Sequence, residues 1–146
     1  MTYLLDINVL VALFDPAHLH HAAAHRWFAA VGQASWATCP ITENGFVRVV
    51  SNPAYPTVST TPGEAAERLR IFCRQPGHEF WPDVASLTDA TSFDMFQLQG
   101  HRQITDLYLA GLAHRYGGKL ATFDTSIPFD ALVGRPADVV ELVPTA

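Results

Sequence analysis

Positive charge is scarce in this chain. Lys119 is its one lysine, and nine lysine and arginine side chains face fourteen acids, for a net charge of −5. That balance excludes a generic nucleic-acid binder with a broad basic face. It leaves room for a protein whose phosphate contacts are few, local and made by arginine. Cysteine is nearly as rare. Cys39 and Cys73 show no metal-motif spacing and read as reduced packing residues. The apolar run from Val9 to Phe14 is too short to span a bilayer, and no charged leader precedes it, so the expectation is a cytoplasmic protein without a membrane segment. Repeats, low-complexity tracts and linkers are missing too. With 146 residues, 49% of them apolar, the chain is expected to form one domain, 1–146, with a core that needs no disulfide.

What is present is an alternation of short apolar strands and helical segments. Strands are expected over Thr2–Leu5, Ser35–Thr38, His78–Trp81, Lys119–Phe123 and Val139–Val143. A helix from Ile7 is stopped by Asp15-Pro16, and a second runs from about Ala17 to Val31. Pro40 fits the first position of a third. Thr61-Pro62-Gly63-Glu64 has the spacing of a capping box and opens a fourth, ending near Gln75-Pro76-Gly77. Ser86-Leu87-Thr88-Asp89 reads as another helix start, and Gln99–Gln103 as a polar loop. Thr105 is a candidate N-cap for a helix to Tyr116, apolar almost all round and so expected to be buried. Strands alternating with helices favour an α/β fold whose parallel sheet is covered on both faces.

Four carboxylates sit where strands give way to helices: Asp6, Glu43, Asp106 and Asp124. In an open α/β sheet such positions gather in the crevice outside the carboxyl ends of the strands. Acids converging there repel one another, and a hard cation such as Mg²⁺ or Mn²⁺ relieves the repulsion. The pattern points to metal-dependent chemistry on a phosphate ester. Each acid also has a simpler reading: Asp6 as a helix cap, Glu43 as a solvated helix charge, Asp106 as a partner of the helix dipole, Asp124 as a turn residue.

The ordered set Leu5-Asp6-Ile7-Asn8-Val9-Leu10, Glu43, Ile104-Thr105-Asp106 and Ala121-Thr122-Phe123-Asp124 resembles the PIN-domain nucleases, in particular the VapC-type ribonuclease toxins. Gly77-His78-Glu79-Phe80-Trp81-Pro82-Asp83 looks like one branch of these toxins. The resemblance covers nearly the whole chain. It implies a three-layer α/β/α sandwich with a central, mostly parallel sheet of four or five strands. It implies an endoribonuclease in which Asp6, Glu43, Asp106 and Asp124 hold Mg²⁺ or Mn²⁺, and structured RNA, a tRNA or rRNA, as substrate. It also implies homodimerisation and a VapB-type antitoxin that occupies the site. The exposed residues around Phe14 and Trp27 are candidates for the groove that takes the antitoxin's helix. Where many relatives carry Arg after the last acid, this chain has Thr125, which removes one phosphate contact.

Asn8, Thr105 and Thr122 are expected to orient the acids or a water. Arg48, His101 and Arg102 are candidates for contacting RNA phosphates. His18, His21 and His25 share a helical face, but no carboxylate completes a metal set with them, so a surface or partner-binding role is favoured. Two rivals remain. Haloacid-dehalogenase-like phosphatases also open on a strand-end Asp, yet want a second Asp two residues on, where this chain has Asn8. A PIN-like module that binds RNA or protein without cutting is the other.

Overall fold

The computed structural model describes residues 1–146. Five short strands form one sheet: β1 (Tyr3–Leu5), β2 (Trp36–Thr38), β3 (His78–Phe80), β4 (Lys119–Thr122) and β5 (Val140–Leu142). Their order is β3-β2-β1-β4-β5, and every pairing is parallel. The chain starts in the centre, builds outward through β2 and β3, then crosses back to add β4 and β5 on the other side. The order therefore reverses between β1 and β4, and a crevice opens at their carboxyl ends.

Alternate residues of the central strands feed two separate cores. Leu4, Ala37 and Leu120 pack with α5 (Ile104–Arg115). Leu5, Trp36 and Ala121 face the other way, onto α1 (Ile7–Phe14), α2 (His21–Ala30), α3 (Pro40–Val50) and α4 (Pro62–Phe72). The result is three layers. Residues Leu107 to Ala113 of α5 are all buried, as expected of a helix without a polar face. No helix is long and apolar enough to cross a membrane.

Three expected elements differ, the first two because polar side chains capture backbone donors locally. The second helix begins at His21, not Ala17: the Asp15 carboxylate accepts from Ala17 N at 2.9 Å and His18 Nδ1 from His20 N at 3.0 Å, which holds that stretch in turns. No helix starts at Ser86. Ser86 and Asp89 take up the N–H groups of Thr88 and Thr91, and the segment folds as turns that bury Phe93 against α5. Thr105 is not an N-cap. A 3₁₀ turn over His101–Gln103 runs straight into α5, moving the cap back to Gln103 and leaving Thr105 exposed in the first turn. Thr61 does cap α4, accepting from Glu64 N at 3.1 Å.

Gly45 lets α3 lie against α1. A Cβ there would meet Ile7 Cδ1 at 2.2 Å and Cγ1 at 2.7 Å. Gly45→Ala gains about 1 kcal/mol of helix propensity but overpacks the contact at a cost of about 1–3 kcal/mol. Denaturant unfolding is expected to show a net loss of about 1 kcal/mol; a gain would mean that Ile7 swings aside freely.

Candidate active site

Asp6 follows β1, and its extended backbone makes it the N-cap of α1. One carboxylate oxygen accepts from Ile7 N at 2.7 Å, the other from the Thr122 hydroxyl at 2.7 Å. Thr122 is the last residue of β4 and wholly buried. Its oxygen also accepts from Asn8 Nδ2 at 3.3 Å and Asp124 N at 3.0 Å. Asn8 Oδ1 in turn accepts from Phe123 N at 3.4 Å. One threonine hydroxyl thus ties the end of β1 to the end of β4 and fixes both acids that flank the crevice. Asp6 combines its capping role with a place in the acid cluster.

Asp106 enters from the opposite core, in the first turn of α5. Burial raises its pKa, and the charges of Asp6 and Asp124 raise it further, to about 7. Asp6, almost fully buried, is raised by desolvation, which outweighs its two hydrogen bonds. Asp124 moves the other way because the Ser126 hydroxyl and N–H, at 2.7 and 2.8 Å, hold its charged form. The two neighbouring carboxyls shift in opposite directions, Asp106 up and Asp124 down, so a proton taken up by the pair near pH 7 goes to Asp106. No cation compensates the trio: the molecule's ion pairs are Arg70–Glu67 and Lys119–Glu141, both elsewhere.

Glu43 is turned differently. It lies in the first turn of α3, and its Oε2 accepts from the Thr38 hydroxyl at 2.7 Å, while Thr38 also meets His78 Nε2 at 2.8 Å. Its carboxylate keeps company with the Cys73 thiol and the His78 ring. Sequence reading missed this group. The only hint was the pair Cys73-x₄-His78, because Glu43 joins it through the tertiary fold. Burial and the Glu43 charge push the Cys73 thiol up to about 11, and burial lowers His78.

His101 and Arg102 are exposed in the turn that leads into α5, a few residues before Asp106. Arg48 is exposed in the last turn of α3, about 7.5 Å along the axis and about 140° around it from Glu43. His21 and His25 are occupied, bonding the α1 carbonyls of Ala12 and Leu13 at 2.7 and 2.8 Å. Trp27 is buried and offers no docking surface. Phe14 does line a groove of about 430 Å³, with Leu10, Leu13, Phe46, Leu69 and Phe72.

Residues 3–132 match the PIN domain family. The chain belongs to that family. Ribonuclease VapC39 of Mycobacterium tuberculosis is 48% identical over 134 residues, covering 92% of this chain and 96% of the relative. Ribonuclease VapC38 of the same species is 42% identical over 140 residues, with 96% of each chain covered. These relatives put this PIN domain among the VapC-type toxins. Two solved structures share the fold at low identity. VapBC2 from Rickettsia felis, bound to a DNA fragment from its promoter, matches with a TM-score of 0.62 at 19% identity over 97% of this chain and 98% of that one. FitAB bound to the IR36 DNA fragment matches at 0.64 and 20%, over 96% and 94%.

The electrostatics give a signed pH dependence. Asp106 binds its proton more tightly folded than unfolded, so between the ordinary carboxylate range and about pH 7 the folded state holds more protons. Stability of the metal-free protein should therefore fall as pH rises through that window. Thermal melts in EDTA from about pH 5 to about pH 8 should show a falling Tm. Asp106→Asn should flatten the slope; an unchanged slope would place the shared proton elsewhere.

Proposed function

We propose that this PIN domain is a divalent-metal-dependent endoribonuclease, the toxin of a toxin–antitoxin pair, acting on structured RNA of the tRNA or rRNA kind. The observation that carries the reading is the uncompensated trio of Asp6, Asp106 and Asp124 at the switch point of the sheet, in a chain 48% identical to a protein named a ribonuclease. Anionic oxygen donors alone suit Mg²⁺ or Mn²⁺ rather than a softer ion. Asp6, Asp106 and Asp124 are the ligands in this reading, and Glu43 is a fourth when its side chain rotates from Thr38 toward them.

A divalent cation held there supplies positive charge for the phosphate oxygens and acidifies water for in-line attack. The protein's own residues do the rest. Thr122 and Ile7 N fix the Asp6 carboxylate, so its lone pairs point the same way in each turnover. Asn8 holds Thr122 in place. Asp106 releases its proton on loading, which ties activity to pH. Thr105, exposed beside Asp106, together with His101 and Arg102, meets the RNA backbone at the rim.

The groove beside Phe14 is where a VapB-type antitoxin helix fits, its apolar lining rimmed by Arg68, which stacks 5.1 Å over the Phe14 ring. An arginine from that partner reaching the acid trio gains charge-assisted bonds and excludes the cation. A second copy of the chain completes the assembly.

Asp6→Asn and Asp124→Asn keep the shape and remove a ligand charge. Each should lower Mg²⁺- or Mn²⁺-supported cleavage of tRNA or rRNA about a hundredfold or more, with the fold retained by circular dichroism. EDTA should abolish cleavage of wild type. Cleavage that persists in EDTA, or in both variants, would remove the metal mechanism.

Co-expression with a neighbouring small reading frame should yield a stable, inactive complex that regains activity once the partner is proteolysed. Full activity inside the complex would discard the inhibitory partner and leave the nuclease standing.

A further inference from the structure

Glu43, Cys73 and His78 come from three separate elements: the first turn of α3, the C-cap of α4 and the first residue of β3. Their ligand atoms all lie within 4.8 Å of one another. Thr38, the last residue of β2, sits among them. Its hydroxyl bonds Glu43 Oε2 at 2.7 Å and His78 Nε2 at 2.8 Å and faces the Cys73 thiol. Each ligand is half-buried, close enough to solvent for an ion to enter. The His78 ring is held against Trp36 at 4.6 Å, so its direction is set by packing.

This donor set differs in kind from the Asp trio. One thiolate, one imidazole and one carboxylate form the mixed soft and borderline set that selects zinc-like ions and is poorly matched to Mg²⁺. Two anionic ligands cancel a 2+ charge, so the loaded site is neutral. Zinc bond lengths put tetrahedral ligand atoms about 3.4–3.6 Å apart. From separations within 4.8 Å the cluster needs to draw in by about 1 Å at most, which side-chain rotations supply without moving the backbone. Loading exchanges the ion for the Cys73 proton.

We propose that Glu43, Cys73 and His78 form a Zn²⁺ site, separate from the Asp6–Asp106–Asp124 cluster but sharing Glu43 with it. A zinc ion there fixes Glu43 in the direction it already takes, toward Thr38 and His78, and withholds it from the acid trio. On the nuclease reading above, the consequence is inhibition by zinc of the Mg²⁺-supported reaction.

Binding is tested without reference to cleavage. Reduced full-length protein in excess Mg²⁺, which occupies the oxygen-only site, is titrated with Co²⁺ and then Zn²⁺. Co²⁺ should produce a thiolate-to-metal charge-transfer band that Zn²⁺ abolishes by displacement. Cys73→Ser should remove the band, and Cys39→Ser should keep it. His78→Gln should weaken Zn²⁺ binding about tenfold or more by calorimetry. A missing band, a band that follows Cys39, or equal Zn²⁺ affinity in wild type and Cys73→Ser would overturn the site. The coupling is read as the ratio of cleavage with and without Zn²⁺ within each protein. The ratio should be well below one in wild type and near one in Cys73→Ser. Equal ratios with the band intact would overturn the inhibitory role while the Zn²⁺ site stands. A wild type that binds Zn²⁺ but never cleaves RNA would instead count against the nuclease reading.

Discussion

Repulsion between carboxylates is the constraint around which this molecule is organised. Asp6, Asp106 and Asp124 approach from two strand ends and one helix start, and no lysine or arginine neutralises them. The fold tolerates this because each acid is held by something else. Asp6 caps α1, Asp124 is fixed by Ser126, and Asp106 sits at the positive end of α5 with its pKa raised to about 7. The buried Thr122 hydroxyl is the hub through which Asp6, Asn8 and the Asp124 backbone share one position. Stability spent on like charge is recoverable only when something cationic arrives.

The two cores divide the labour of aiming these groups. α5 and its contacts with Leu4 and Leu120 set the position of Asp106 from one face. On the other face, α1 and α3 are pressed together through Gly45 and Ile7, which brings the middle of α3 against the start of α1. The carboxyl ends of β1 and β4 meet between these layers, so the crevice is a product of the sheet's reversal of order.

Much of this was legible in the residues. Asp6, Asp106 and Asp124 each border an element, and apolar runs beside them marked those elements without knowledge of the tertiary fold. The five strands and the buried α5 followed from the same runs. Turns were harder. Asp15, Ser86 and Asp89 redirect backbone donors one residue at a time, a competition that periodicity does not register. Thr105 looked like a cap only because the 3₁₀ turn before it has no apolar signature. Trp27 read as part of a helix's outer surface, yet it lies in the core against Tyr3. The group around Thr38 was out of reach, since Glu43, Cys73 and His78 meet only after α3, α4 and β3 have packed.

The sheet's outer strands, β3 and β5, are three residues long, and each has a glutamate at its middle, Glu79 and Glu141. An open parallel sheet invites another chain to zip onto its unpaired edge. Here a joining strand would gain few ladder bonds, and edge-to-edge stacking of copies would set acid against acid. The molecule thus carries its own protection against fibrous aggregation, written in the brevity and the charge of its borders.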